Sequence, residues 1–157
     1  MKLVLKYGGT SIATPKLVKE IAKHLSSLKK ENQIVVVCSA INGTTDELLE
    51  IADLITQAKK DKVKQLTNKI VDKHKKFAQQ TVSNPKVRKQ LLADLESDFK
   101  KLHSLVEGKI QLWEITPRSL DYLISYGERL SSKIVSAALV DQGIKSEPFT
   151  EIGRAHV

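Results

Sequence analysis

The run Ile34-Val35-Val36-Val37-Cys38, closing on Ser39, constrains the fold of this chain more than any other stretch. It is too continuously apolar for a strand with one face in water, and reads as a strand covered on both faces, as in a parallel sheet. A second short run, residues 2–7, carries the β-branched Val4, ends at Gly8-Gly9 and reads as a buried strand. Between the two, Thr14 offers an N-cap and Pro15 sits at the first helical position, where its missing N–H costs nothing. Leu17, Val18, Ile21, Ala22, Leu25 and Leu28 then recur at helical spacing and make one apolar face. Strand, helix and strand within 39 residues form a βαβ unit, for which a right-handed crossover is the rule.

Further along, Asn42-Gly43-Thr44-Thr45-Asp46 is a polar loop, with Asp46 placed to cap a helix starting near Glu47 and carrying Leu48, Leu49, Ile51, Ala52, Leu54 and Ile55. A helix from about 61 to 83 follows, then a turn at Asn84-Pro85. The next helix bears Val87, Leu91, Leu92, Leu95, Phe99, Leu102 and Val106, stepping by three and four like a heptad seam. The pair reads as a protruding antiparallel hairpin inserted at about 60–110, with Trp113 sealing it against the body. Thr116-Pro117 repeats the cap pattern and opens a helical stretch to Leu139, with a break or kink expected at Gly127-Glu128. Gly143 suits a C-cap, and residues 144–149 read as the start of a third strand.

Charge and composition narrow the function classes. Of a net charge of +8, the whole excess lies between Lys59 and Lys109, where 14 Lys or Arg face 6 Asp or Glu. Lys dominates there, aromatics are sparse, and no nucleic-acid-binding signature appears, so a solvated helical surface is the reading and no nucleic-acid partner is expected. A length of 157 residues fits one domain, and 41% hydrophobic residues exclude a disordered chain. No apolar run nears the ~20 residues of a membrane span, and Gly-Gly interrupts the start too early for a signal peptide. A single cysteine, Cys38, reads as packing and points to a reducing, cytoplasmic setting. His24, His74, His103 and His156 show no ligand spacing and read as solvated, so no dedicated metal ligands are expected.

Three segments could carry chemistry. Lys6-Tyr7-Gly8-Gly9-Thr10-Ser11 lies at the carboxyl end of the first strand, where open α/β sheets place ligands. Its glycines let backbone N–H groups approach an anion, Thr10 and Ser11 add hydroxyls, and Lys6 adds a positive charge suited to a transferring phosphoryl group. Alone, Gly8-Gly9 is more often an ordinary turn. The loop from Ser39 to Asp46 leaves the neighbouring strand end, so two Gly- and hydroxyl-rich loops converge there. Gly127-Glu128 places an acid within an apolar helical stretch; by itself, Glu128 reads as a surface ion pair.

Together, Lys6-Tyr7-Gly8-Gly9-Thr10-Ser11, Ser39-Ala40 with Gly43, Thr45, Asp46, Leu48 and Leu49, and Gly127-Glu128-Arg129-Leu130-Ser131-Ser132 resemble the aspartokinases of the amino acid kinase family in order and spacing. The resemblance covers residues 1–150 and implies the N-terminal part of the catalytic domain. The implied fold is α/β, a three-layer αβα with a mainly parallel sheet and a helical hairpin insertion. It further implies ATP-dependent phosphorylation of the L-aspartate side-chain carboxylate to 4-phospho-L-aspartate, the first step towards lysine, threonine and methionine, with Mg²⁺ accompanying ATP. Lys6 would be catalytic, neutralising the transferring phosphoryl group. Gly8 and Gly9 would give backbone donors to the phosphates, supported by Thr10, Ser11 and Ser39. Thr45 and Glu128 would bind aspartate, Glu128 through the substrate ammonium.

The family's later Arg-Gly-Gly-Ser-Asp-like segment and nucleotide-binding half do not follow. The expectation is that this chain alone has little kinase activity, that it associates into homo-oligomers, and that residues 151–157 are a non-native tail. A non-catalytic oligomerisation or regulatory module and another kinase of the same fold are the alternatives.

Overall fold

The computed structural model describes residues 1–29 and 32–149, so the expectation about the tail at 151–157 lies outside the described residues. The order is β1 (Lys2–Tyr7), α1 (Pro15–Leu28), β2 (Gln33–Cys38), α2 (Thr44–Thr56), α3 (Lys60–Thr81), α4 (Pro85–Leu112), α5 (Pro117–Ile124) and α6 (Tyr126–Asp141). β1 and β2 pair in parallel, in register from Lys2 opposite Gln33 to Tyr7 opposite Cys38. Thr14 caps α1 by accepting from the Leu17 N–H at 3.3 Å, with Pro15 in the first turn. The βαβ unit thus forms where the apolar pattern places it.

The sheet is covered on one face only among the described residues. Leu5, Tyr7, Ile34, Val36 and Cys38 pack on a core that includes Val18, Ala22 and Leu25 of α1 and Ile134, Val135 and Ala138 of α6. On the opposite face Val4 is 71% exposed and Val35 58%. This corrects the reading of strands covered on both faces: the helices described here supply one covering layer, so alternate valines of an apolar strand are left in water. Residues 144–149 also differ from expectation, running as irregular chain rather than as a third strand. Ile144 is drawn into the core under α6 instead, after Gly143 turns the chain at φ +77°.

The hairpin α3–α4 does not protrude. α3 buries Val63, Thr67, Ile70, Val71, His74, Phe77, Ala78 and Thr81, a face wider than one partner helix needs. Phe77, Ala78, Leu91, Leu95 and Phe99 join the core under the sheet. Val63, Ile70, Leu102, Val106 and Ile110 join a second core with α2 and α5. His74 is therefore fully buried, against the expectation of a solvated histidine. Side chains sharing two cores make the hairpin integral to the body.

The turn into α4 is capped twice. Asn84 accepts from the Lys86 N–H at 2.9 Å, and the Asp141 carboxylate, from the end of α6, accepts from the N–H groups of Ser83 and Asn84, both at 2.8 Å. Asp141→Ala is expected to cost about 1 kcal/mol in urea denaturation, since it removes a charge-assisted cap but leaves the Asn84 cap in place. A change under 0.3 kcal/mol would show that the bridge from α6 adds nothing.

Candidate functional site

The first loop is a tight turn after β1. The Gly8 carbonyl accepts from the N–H groups of Ser11 (3.0 Å) and Ile12 (3.3 Å), and Ile12, 1% exposed, anchors the turn in the core. The N–H groups of Gly8, Gly9 and Thr10 donate to no acceptor among the described residues. A Cβ added at Gly8 would meet only open space. Three successive free donors at a strand end, with room beside them, match the needs of an oxyanion-bearing ligand such as a polyphosphate. Lys6 stands two residues before them on the open face of the sheet, exposed and without an ion pair among the described residues.

The second loop is fastened to the first and to α6. The Ser39 N–H donates to the Tyr7 carbonyl at 3.0 Å. The Ser39 carbonyl accepts from the Ser131 hydroxyl of α6 at 2.7 Å, across 92 residues of sequence. Ala40 lies between two glycines: a Cβ on Gly9 would meet its carbonyl at 3.0 Å, and a Cβ on Gly127 would lie 2.6 Å from its methyl. Both glycines are thus required by close approach. Gly43 adopts φ +77° and opens α2, which starts at Thr44, earlier than expected, so Asp46 lies in the first turn rather than at the cap.

The third segment forms the first turn of α6. The helical break falls at Ser125 rather than at Gly127-Glu128, because Gly127 is needed inside the helix for its contact with Ala40. Glu128 is half-buried and its carboxylate has no hydrogen bond or ion pair among the described residues, which sets aside the surface ion pair read for it from sequence. Thr45 is half-buried in the first turn of α2, its hydroxyl likewise unpartnered. The structure therefore brings the backbones of Gly9, Ala40 and Gly127 into contact and sets Thr45 and Glu128 on adjoining helix starts. No hydrogen bond or ion pair joins Lys6 to Glu128, and Thr10 and Ser11 stay exposed.

Sequence reasoning missed the polar groups beneath this rim. Asp98 of α4 is 2% exposed and takes Arg129 Nη2 at 3.3 Å and Lys133 Nζ at 2.6 Å. The Arg129 guanidinium lies 4.6 Å above the ring of buried Tyr126 and 5.7 Å from Tyr122. Only the apolar heptad setting of Asp98 could have signalled it. Cys38 ends β2 with its thiol pushed up to about 11 by burial, so it stays protonated and unreactive at neutral pH. Among the described residues no group of three His, Cys, Asp or Glu side chains gathers to hold a metal ion, and no helix is long and apolar enough to cross a membrane.

Comparison with known proteins identifies the family and the fold. The model of the amino acid kinase family matches residues 1–156. The aspartokinase of Candida albicans is 33% identical over 153 residues, covering 92% of this chain and 27% of that protein. The aspartokinase of Schizosaccharomyces pombe is 30% identical, covering 92% of this chain and 29% of its own length. The chain thus spans less than a third of these relatives. In fold it resembles the crystal structure of E. coli aspartokinase III in complex with aspartate and ADP, with a TM-score of 0.60 and 21% identity, over 91% of this chain and 30% of that one.

Proposed function

The chain belongs to the amino acid kinase family, and from that membership we propose that it forms the phosphate- and aspartate-binding rim of an aspartokinase. The observation that carries this reading is the row of free N–H groups at Gly8, Gly9 and Thr10, packed through Ala40 against the turn that bears Glu128. ATP supplies the phosphoryl group that the side-chain carboxylate of L-aspartate takes up, giving 4-phospho-L-aspartate. The chain's own residues position and neutralise. The backbone donors of Gly8, Gly9 and Thr10 hold phosphate oxygens, supported by the hydroxyls of Thr10, Ser11 and Ser39. Lys6, with no acid paired to it among the described residues, offsets charge on the transferring group. Glu128 pairs with the substrate ammonium, which its unpartnered carboxylate favours, and Thr45 adds a hydroxyl from the adjoining turn. Two oriented reactants need no protein nucleophile. Mg²⁺ would accompany ATP, and among the described residues no group of three His, Cys, Asp or Glu side chains gathers to hold it.

On this reading the chain works in the cytoplasm at the entry to lysine, threonine and methionine synthesis and associates with further copies of itself. The open valine face of the sheet supports association, since an uncovered apolar face favours contact.

Calorimetric titration of the purified chain with ATP and with L-aspartate tests the assignment. Lys6→Met is expected to weaken ATP at least tenfold and leave aspartate within twofold; Glu128→Gln is expected to do the reverse, about 1.4 kcal/mol or more in each case. Aspartate affinity untouched by Glu128→Gln would overturn the assignment of the ammonium partner.

A further inference from the structure

We propose that the basic hairpin α3–α4 is a brace that fixes the first turns of α2 and α6, through Glu47 on one side and Asp98 on the other, and so positions Thr45 and Glu128. The consequence for aspartate rests on the functional reading above; the bracing itself does not.

Each of the two turns is tied to the hairpin by its own branched ion pair. Glu47, two residues after Thr45, is only 16% exposed at its side chain and takes Lys69 Nζ at 3.3 Å and, closer, Lys73 Nζ, both from α3. Asp98 on α4 takes Arg129, the residue after Glu128, and Lys133 one turn further along α6. Arg129 is held in place as well by the faces of Tyr126 and Tyr122. Thr45 and Glu128 have no partner for their own side chains among the described residues, so their placement depends on the turns that carry them.

Three of these pairs, Lys73–Glu47, Arg129–Asp98 and Lys133–Asp98, have both side chains less than 30% exposed, whereas Lys69 is 67% exposed and only supports Glu47 from outside. Lys64–Glu107 and Lys75–Glu96 join α3 to α4 with side chains 40–47% exposed, the kind of pair that contributes little. Asp98 is desolvated, and a buried ion pair is a poor way to gain stability over an apolar contact of equal size. What it does impose is geometry: charges that must stay paired fix the rotation of α6 about its axis, and hence where Glu128 points. The excess of lysine on α3 then has a use beyond solvation, since Lys69 and Lys73 bracket the acid at the start of α2.

The test compares Asp98→Asn and Glu47→Gln with the parent 157-residue chain, by amide ¹⁵N relaxation and by titration with L-aspartate and with ATP. Asp98→Asn is expected to lower order parameters at residues 126–130 from roughly 0.85 towards 0.6 and leave residues 44–48 rigid. Glu47→Gln is expected to do the opposite. Each should weaken L-aspartate about fivefold or more while ATP stays within twofold, a split that a general loss of stability does not produce. Asp98→Glu and Glu47→Asp should restore most of the loss. If Asp98→Asn does not fold, Lys133→Gln, whose side chain is 21% exposed, probes the same arm with a smaller effect. Both turns staying rigid, loosening spread over the whole hairpin, or ATP and aspartate weakening together would each overturn the brace. If the parent chain binds no L-aspartate, the functional reading falls, and the relaxation result alone decides the brace.

Discussion

Gly127→Ala is expected to destabilise the chain by about 1–3 kcal/mol, although it replaces a poor helix former with the best one. Helix propensity alone predicts a gain of up to ~1 kcal/mol. Sterics oppose it: the added methyl would lie 2.6 Å from the Ala40 methyl, about 1 Å inside normal carbon–carbon contact. Ala40 is 4% exposed and its side chain has no rotamer to escape into. Its backbone is tethered as well, because the carbonyl of the preceding residue, Ser39, accepts from the Ser131 hydroxyl at 2.7 Å. The strain therefore passes to α6 or to the turn at Gly8-Gly9, stretching the Ser131–Ser39 hydrogen bond. Urea denaturation should show the loss, and aspartate affinity should fall with it. Ala40→Gly combined with Gly127→Ala should recover most of the stability, with a coupling of about 1 kcal/mol or more. A Gly127→Ala chain as stable as the parent would mean that the three segments do not meet as closely as described.

This close approach separates what the residues disclose from what they do not. The βαβ unit is legible because its signals are local: a cap at Thr14, helical spacing from Leu17 to Leu28, and β-branched runs on either side. The loops at Gly8-Gly9 and at 39–45 are legible for the same reason, as breaks in those patterns at strand ends. Gly127 looks like a helix breaker until Ala40 is set against it, so the break was expected there and not at Ser125. The open face of β2 was misjudged because Val35 and Val37 report only that they are apolar, not whether a covering layer lies within these residues. Residues 144–149 have the composition of a strand, whereas Ile144 gains more by entering the core beneath α6. The pairing of Asp98 with Arg129 is hidden for a related reason: 31 residues separate two groups whose importance together depends on burial. A charge count along the sequence makes the hairpin look like a protrusion. Its Lys residues are largely on the outer surface, but α3 also buries residues on more than one side, and the chemistry of those inner positions is tertiary.

His74 shows what that miscount conceals, and it gives the other large expected effect: stability should fall by about 3 kcal/mol as pH drops from 7 to 4 through this residue alone. The imidazole is fully buried, with Nδ1 2.8 Å from the Ile70 carbonyl and Nε2 without a partner. Burial pulls its pKa down from 6.5 to about 4; Lys73 pushes the same way, while the bond to Ile70 and the charge of Glu47 resist. The folded chain therefore binds the proton less readily than the unfolded chain does. Above pH 6.5 both states hold a neutral imidazole and nothing is lost. Below 6.5 the unfolded state takes up a proton that the folded state refuses, so stability declines until about pH 4, below which the folded state is protonated too. His74→Leu should remove this part of the acid limb. It keeps an apolar side chain of similar bulk between α3 and its neighbours, gives up one hydrogen bond to a carbonyl already used in the helix, and eliminates an unpartnered nitrogen, so its stability at pH 7 should lie within about 1 kcal/mol of the parent. Urea midpoints measured from pH 7.5 to 4 should thus diverge between parent and variant below pH 6.5. Parallel curves would mean that His74 finds water or an acceptor for Nε2 and titrates without strain, and the tight packing of α3 against α2 would have to be revised.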